Sequence, residues 1–273
     1  MAEHTGEKFK RLQQEFLSHV QAFYPNATAD DLKHAVWGSL KLFDAMVLAE
    51  QLQEAKPRTI LEVGAFLGFS SRWILEVSRP WGAKVISVDP GVRHRMFDNV
   101  QQHLLAFNRA FVEQGALTVV RAFFALPPSN LACFLHDYTV YEPKLDARTA
   151  RRLLESVPTL AELTEPCDFY FIDGDHTYDA TKAFTEKCIR PNLQAGRAAT
   201  IVVHDAREEP DTVPAVTDCV RKYRSHVKSF QVIAGDAQSF YTDVWQGDGF
   251  QRVRAASPAT FKCDGLAVLA ING

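Results

Sequence analysis

The chain has 273 residues, 47% of them of apolar types, and its 30 basic and 33 acidic side chains leave a formal net charge of −3. Such a chain can bury a sizeable core and suits one domain with additions, and its near balance of charge argues against a nucleic-acid partner. No window approaches the ~18 consecutive apolar residues of a membrane span, and Cys133, Cys167, Cys188, Cys219 and Cys263 form no C-x-x-C pair, so a soluble protein in a reducing cytoplasm is expected.

Residues 7–24 carry Phe9, Leu12, Phe16 and Val20 at helical spacing, and 29–56 carry Leu40, Phe43, Val47 and Leu48. Both are expected to be helices, separated by "YPNATADD" and stopped at Pro57. Strand 59–63 then leads to a helix from Ser70 to Ser78, strand 83–89 to a helix at 95–113, and strand 117–120 follows. Strand 167–173 precedes a helix at 177–190, and strand 198–205 a helix at 213–226. These strands are nearly continuously apolar, the pattern of a parallel sheet covered by helices on both faces. The basic clusters "RRLL" (151–154) and "RKYR" (221–224) read as solvated helix faces. The tail holds "SFQVIAG", "SFYTDVW", "FQRVRAA" and "GLAVLAI" without a helix, which predicts antiparallel strands at the sheet edge.

One connection is far too long. Residues 121–166 separate two strands where 2–6 residues or a single helix are usual. The segment contains the aromatic stretch "CFLHDYTVY" and one expected helix, 146–157, and is read as a lid or substrate-shaping insertion.

The stretch "ILEVGAFLGFSS" (60–71) places glycines where a buried strand enters a helix. The close-set glycines of G-x-G-x-x-G are missing, as is the phosphate loop G-x-x-x-x-G-K-[ST]. The pattern is E-x-G-x-x-x-G-x-S, which suits a ligand bearing an amino acid rather than a pyrophosphate. Glu62 can orient the turn or reach an ammonium. Asp89 ends the next strand, where an acid can bridge two ribose hydroxyls. Further on, "FIDGDHTYD" (171–179) and "VVHDA" (202–206) end two more strands. Neighbouring strands lie about 4.8 Å apart, so Asp173 and Asp205 can share an ion if these two are adjacent. His94, between Arg93 and Arg95, follows Asp89 and could approach a bound cofactor, but reads first as a solvated helix start, and Trp37 reads as core or lid packing.

"LEVGAFLGFSS" followed by "VISVD" resembles class I S-adenosylmethionine-dependent methyltransferases, especially the catechol O-methyltransferase-like enzymes. The resemblance covers roughly residues 35–235 and is specific in four short stretches. It implies a Rossmann-like, doubly wound, mostly parallel seven-stranded sheet with antiparallel C-terminal strands. Residues 1–56 would be an N-terminal helical extension and 57–273 the methyltransferase domain carrying the insertion 121–166. The implied cofactor is S-adenosylmethionine, with Glu62, Gly64, Phe66, Gly68, Ser70, Asp89, Phe123 and Asp173 as binding residues and Phe124 beside the adenine.

Metal-dependent O-methyltransferases, including those acting on antibiotic sugars, are similar at the second constellation. The resemblance implies Asp173, His204 and Asp205 as metal ligands, and His176 as catalytic base together with Asp173. His204 departs from the pattern, since an oxygen ligand is expected there. Imidazole is a poor partner for magnesium but suits manganese, iron or zinc. Three readings stay open: a softer metal, a His204 behind the ligands, or no metal. The implied reaction is O-methylation of a small-molecule hydroxyl with metal or histidine assistance. The alternatives are a non-catalytic cofactor-binding partner, or a nicotinamide-dependent oxidoreductase. A homo-oligomer is compatible with the sequence.

Overall fold

Three helices precede the first strand. The computed structural model describes residues 2–124, 131–142, 144–160, 162–163, 165–235, 240–255 and 263–273. Helix α1 spans Ala2–Phe23, α2 Ala29–Trp37 and α3 Leu42–Ala55. The single helix expected over 29–56 is thus two, interrupted at residues 38–41. Thr28 and Asp31 start α2 with a reciprocal capping box, which satisfies amides that a helix start leaves unpaired. Gly38 then ends it.

The chain continues through β1 (Thr59–Val63), α4 (Phe69–Ser78), β2 (Lys84–Asp89), α5 (Val100–Phe107), α6 (Arg109–Glu113) and β3 (Leu117–Arg121). The helix expected at 95–113 begins only at Val100 and breaks at Asn108. Residues 90–97 remain a loop because Arg93, His94 and Arg95 are engaged by other elements. The insertion holds two helices rather than one, α7 (Leu131–Tyr141) and α8 (Ala147–Glu155), beside a two-stranded pair of β4 (Phe123–Phe124) and β5 (Thr159–Leu160). "CFLHDYTVY" is helical despite its aromatic content. Then follow β6 (Phe169–Ile172), α9 (Tyr178–Gln194), β7 (Ala199–Val203) and α10 (Thr212–Lys222). The tail supplies β8 (Val227–Gly235), β9 (Phe240–Trp245), β10 (Phe250–Ala255) and β11 (Leu266–Ile271).

The main sheet has the order β10-β9-β8-β11-β7-β6-β1-β2-β3. From β7 to β3 it is parallel, and β8 to β11 are antiparallel. The expected mixed α/β architecture is present, but with nine strands rather than seven. The extra two are β9 and β10, a hairpin paired onto β8. Side chains alternate between the two faces of a strand. Ile60, Phe169, Phe171 and Val202 therefore join the core under α1, α3 and α4, while Leu61, Val63, Tyr170, Ile172, Ile201 and Val203 join the core under α9 and α10. Phe9 and Phe16 of α1 pack on Phe69 of α4, so the leading helices are continuous with the core of the sheet. No helix among the described residues is long and apolar enough to cross a membrane.

β1 is the place where chain order reverses, with β2 on one side and β6 on the other. In such sheets the crevice above the strand ends at this point receives the ligand. The turn leaving β1 is shaped by two glycines in the left-handed region. A Cβ on Gly64 (φ +84°) would lie 1.8 Å from the Asp173 carbonyl oxygen, and one on Gly68 (φ +88°) 2.7 Å from Asn108 Nδ2. Gly64 thus lets two strand tips touch, and Gly68 seats α4 on α5. Beneath the turn, His103 Nδ1 donates to the Leu67 carbonyl at 2.9 Å, and its Nε2 then accepts from His19 Nδ1 of α1 at 3.1 Å.

Two outcomes follow from this packing. Gly64→Ala should lose about 3 kcal/mol or more in urea unfolding, because strain and clash combine. Gly82→Ala, at φ +69° with nothing within 4 Å, should lose only about 1–2 kcal/mol. Burial lowers His103 to about 4, helped by His19. The unfolded chain therefore binds more protons below pH ~6.5, and stability falls as pH drops from there toward about 4. The loss from this group is on the order of 3 kcal/mol, and His103→Gln should remove that part of the slope in a pH series of melts.

Candidate active site

β1 presents Glu62 to the face occupied by α4, in register with Ser87 of β2. The carboxylate is fully buried and accepts the hydroxyls of Ser70 (2.5 Å), Ser87 (2.5 Å) and Ser71. Burial pushes Glu62 up to about 7, against the three hydroxyls that hold it down. Glu62 and Ser70 therefore brace the turn from below. With Gly68, they lie behind the wall of the neighbouring cavity rather than on it.

That cavity, of about 400 Å³, sits above the strand tips. Its polar groups are Asp89, Asp173, Asp175, His34 and His94. Gly64, Phe66, Phe123, Phe124 and Phe134 supply much of the remaining wall. A mainly apolar cleft with a few convergent polar groups is the usual form of a small-molecule site. Asp89 is buried at the end of β2, and its two oxygens accept the amides of Phe66 (2.9 Å) and Gly91 (2.7 Å). Burial raises Asp89, and those amides oppose the rise. Phe66 adopts φ +44°, a conformation costly for a residue with a side chain, and its ring lies against His94 and Phe97. Phe123 and Phe124, which the resemblance sets beside an adenine, both line the cavity.

β6 and β7 are parallel neighbours, with Ile172 opposite Val203. This register sets Asp173 beside His204, and Asp205 follows in the left-handed region at φ +56°. His204 Nδ1 lies 3.0 Å from Asp173 Oδ1 and 3.2 Å from Asp205 Oδ1. His176, in the loop before α9, places Nε2 3.1 Å from Asp205 Oδ2 and 3.7 Å from Asp173 Oδ1. The four predicted residues thus converge, and Asp173 also touches the cavity. One ligand atom from each of Asp173, His204 and Asp205 fits within 4.8 Å of the others.

The electrostatics follow from burial of unlike charges. Burial alone would lower His204, but Asp173, Asp44 and Asp205 hold it well above the usual histidine range. Burial also works against His176, which the same two aspartates of the site raise. Asp173 lies well below the carboxylate range despite its burial, held there by His204 and His176. Burial, with Asp173 nearby, pushes Asp205 up to about 6. Asp173 is thus the ionised partner and Asp205 the weaker acid.

Several participants escape a reading by motif. Asp44 of α3, fully buried, approaches His204 Nε2 at 3.7 Å. Its neighbour Asp264 pairs with Lys41. The signal for Asp44 was a charged residue within the apolar run "LFDAMVLA". At the other end of the cavity His34 and His94 meet at 2.9 Å, and His94 Nδ1 lies 3.1 Å from Asp137 Oδ2 of α7. Arg93 reaches Glu142 at 3.2 Å, and Arg95 reaches Asp30 at 3.4 Å. The segment 93–95, expected to be a solvated helix start, instead joins α2 and α7 over the cavity. Trp37 is 58% exposed with the Lys33 ammonium over its ring, rather than packed in the core.

A solved O-methyltransferase from Bacillus cereus with S-adenosylhomocysteine is similar at 14% identity and a TM-score of 0.49, covering 96% of this chain and 91% of that one. A Podospora anserina methyltransferase with the same ligand is similar at 9% identity and a TM-score of 0.48, covering 100% and 97%. An O-methyltransferase of tomaymycin synthesis from Streptomyces achromogenes, with S-adenosylmethionine, is similar at 16% identity and a TM-score of 0.47, covering 95% and 90%. No curated protein matches the chain. The family described as "Methyltransferase domain" matches residues 61–206, more than half of the sequence and all of the strand tips that build the site. The chain belongs to this family and is a class I methyltransferase.

Proposed function

We propose that the protein transfers the methyl group of S-adenosylmethionine to a hydroxyl of a small molecule, with His176 as proton acceptor. The observation that carries this reading is the convergence of Asp173, His176, His204 and Asp205 beside a cavity that also contains Asp89. In this reading Asp89 takes the ribose hydroxyls, the turn at Gly64 and Phe66 meets the methionine part, and Phe123 and Phe124 flank the adenine. Glu62, Gly68 and Ser70 act from behind, by fixing the turn.

The acceptor oxygen attacks the sulfonium methyl in line, and holding the two in that geometry supplies much of the acceleration. The acceptor must also lose its proton. His176 Nε2 faces both Asp173 and Asp205, and their carboxylates stabilise the imidazolium that forms. An apolar wall of phenylalanines keeps water away while the sulfonium charge is consumed.

The donor set of two carboxylates and one imidazole fits a divalent ion of the manganese, iron or zinc type better than magnesium. Asp173, His204 and Asp205 would hold such an ion. When bound, it stabilises the negative charge developing on the acceptor oxygen.

A thermal-shift matrix tests the cofactor. S-adenosylmethionine and S-adenosylhomocysteine should each stabilise the protein, by about 2.7 kcal/mol at a hundredfold excess over Kd, whereas NAD should not. A shift with NAD and none with S-adenosylmethionine or S-adenosylhomocysteine would remove this reading. Adding manganese, magnesium or EDTA to the same wells reads the ion separately. His176→Ala should lower methyl transfer about 10²–10⁴-fold while leaving the S-adenosylmethionine Kd nearly unchanged. An unaltered turnover would strip His176 of the base role.

A further inference from the structure

We infer that Asp44 is a positioning residue, holding His204 with its Nε2–H turned toward α3 so that Nδ1 offers its lone pair to a divalent ion at Asp173 and Asp205. This inference rests on the metal reading above and names the residue that makes an imidazole serviceable where an oxygen ligand is expected.

The burial of Asp44 is unusual for a carboxylate. Asp44 lies in α3 among Ala45, Val47 and Leu48 with no exposed surface, and an unpaired carboxylate there would be prohibitively costly. Its two oxygens accept the backbone amides of Asp264 (3.0 Å) and Gly265 (3.2 Å). These bonds fix the plane of the carboxylate. They leave lone pairs on Oδ2, which lies 3.7 Å from His204 Nε2.

His204 presents the complementary need. It is 3% exposed, yet its Nε2 has no hydrogen-bond partner among the described residues. Closing 3.7 Å to a normal N–H···O length of about 2.9 Å takes a sub-ångström ring adjustment. Asp264, the other carboxylate beside Nε2, is already paired with the Lys41 ammonium. Asp44 is therefore the carboxylate left for His204.

The consequence falls on the opposite ring nitrogen. With one proton kept on Nε2 by Asp44, the proton that Nδ1 shares with Asp173 at 3.0 Å and Asp205 at 3.2 Å is released when an ion binds, and the Nδ1 lone pair then faces the ion between the two carboxylates. A carboxylate behind a ligating imidazole fixes its tautomer, fixes its orientation and makes it a stronger ligand. Asp44 thus gives a neutral nitrogen some of the donor strength of the oxygen it replaces.

The test is manganese binding, read by electron paramagnetic resonance of the free ion, in wild type and in Asp44→Asn. The amide of that variant keeps the shape of the side chain but is neutral, so whichever way it turns Nε2–H loses its anionic partner and the imidazole becomes a weaker, less firmly oriented ligand. Manganese affinity should fall about 10–100-fold, with S-adenosylhomocysteine affinity unchanged within about twofold. Equal manganese affinity in variant and wild type overturns the role of Asp44 and leaves the metal reading standing. A wild type that binds no manganese overturns both. Should Asp44→Asn fail to fold, nitrogen-15 spectra of the zinc-loaded wild type decide. His204 bound through Nδ1 with a protonated Nε2 supports the inference, and a metal on Nε2 or on neither nitrogen overturns it.

Discussion

The contact between the tips of β1 and β6 is the constraint from which the rest of the site follows. Gly64 packs against the Asp173 carbonyl so closely that no side chain fits between them. The hydrogen bonds Gly64 N to Val88 O, Asp173 N to Val63 O and His204 N to Ile172 O continue the sheet across four strands to its upper edge. The turn that would hold a cofactor and the carboxylate that would serve the acceptor therefore share one rigid backbone. Positioning of this kind comes from strand register rather than from loops, and it confines the relative motion of the two halves.

Charge supplies the second constraint. Asp44, Asp173, Asp205 and Asp264 crowd around His204, with His176 and Lys41 at the two ends. Four carboxylates in a largely buried space repel strongly unless protons or cations intervene. The opposite shifts of Asp173 and Asp205 are the result, one held low and the other raised. His204 stands at the centre, with Nδ1 toward Asp173 and Asp205 and Nε2 toward Asp44 and Asp264. The imidazole at this position is thus part of a balanced cluster that reaches into α3.

Much of the fold was legible because buried parallel strands are short apolar runs between glycines and helix starts. "TILEV", "KVISVD" and "ATIVV" became strands where expected. The strand ends also showed Asp173 and Asp205, the resemblance added His176 and His204, and strand adjacency brought the four together. The failures were of two physical kinds. "CFLHDYTVY" has residues that favour strands, yet it lies in α7, whose Asp137 and Tyr138, with Glu142 just beyond its end, meet the 93–95 segment. Tertiary contacts overrode local preference there. Asp44 was hidden for a different reason: helical periodicity assigns polar residues to solvent, whereas this one faces inward to partners some 220 residues away.

The same long-range logic explains why the N-terminal helices belong to the site. His94 hydrogen-bonds His34 of α2, and its other nitrogen faces Asp137 of α7, while Arg95 adds Asp30. His34 and His94 both line the cavity, so the polar seam that joins the two covers is also part of the wall. At the opposite end α3 supplies Asp44 to His204, and beneath the turn α1 supplies His19 to His103. Each of the three leading helices therefore touches a different part of the candidate site, at the cover, at the acid–imidazole cluster and at the support of the turn. A sheet with the family's strand order would bring the strand-tip residues together without them. It would lack the carboxylate beside His204 Nε2, one side of the cavity and the polar support beneath Leu67, so the leading helices complete the surroundings of the strand tips as well as the core.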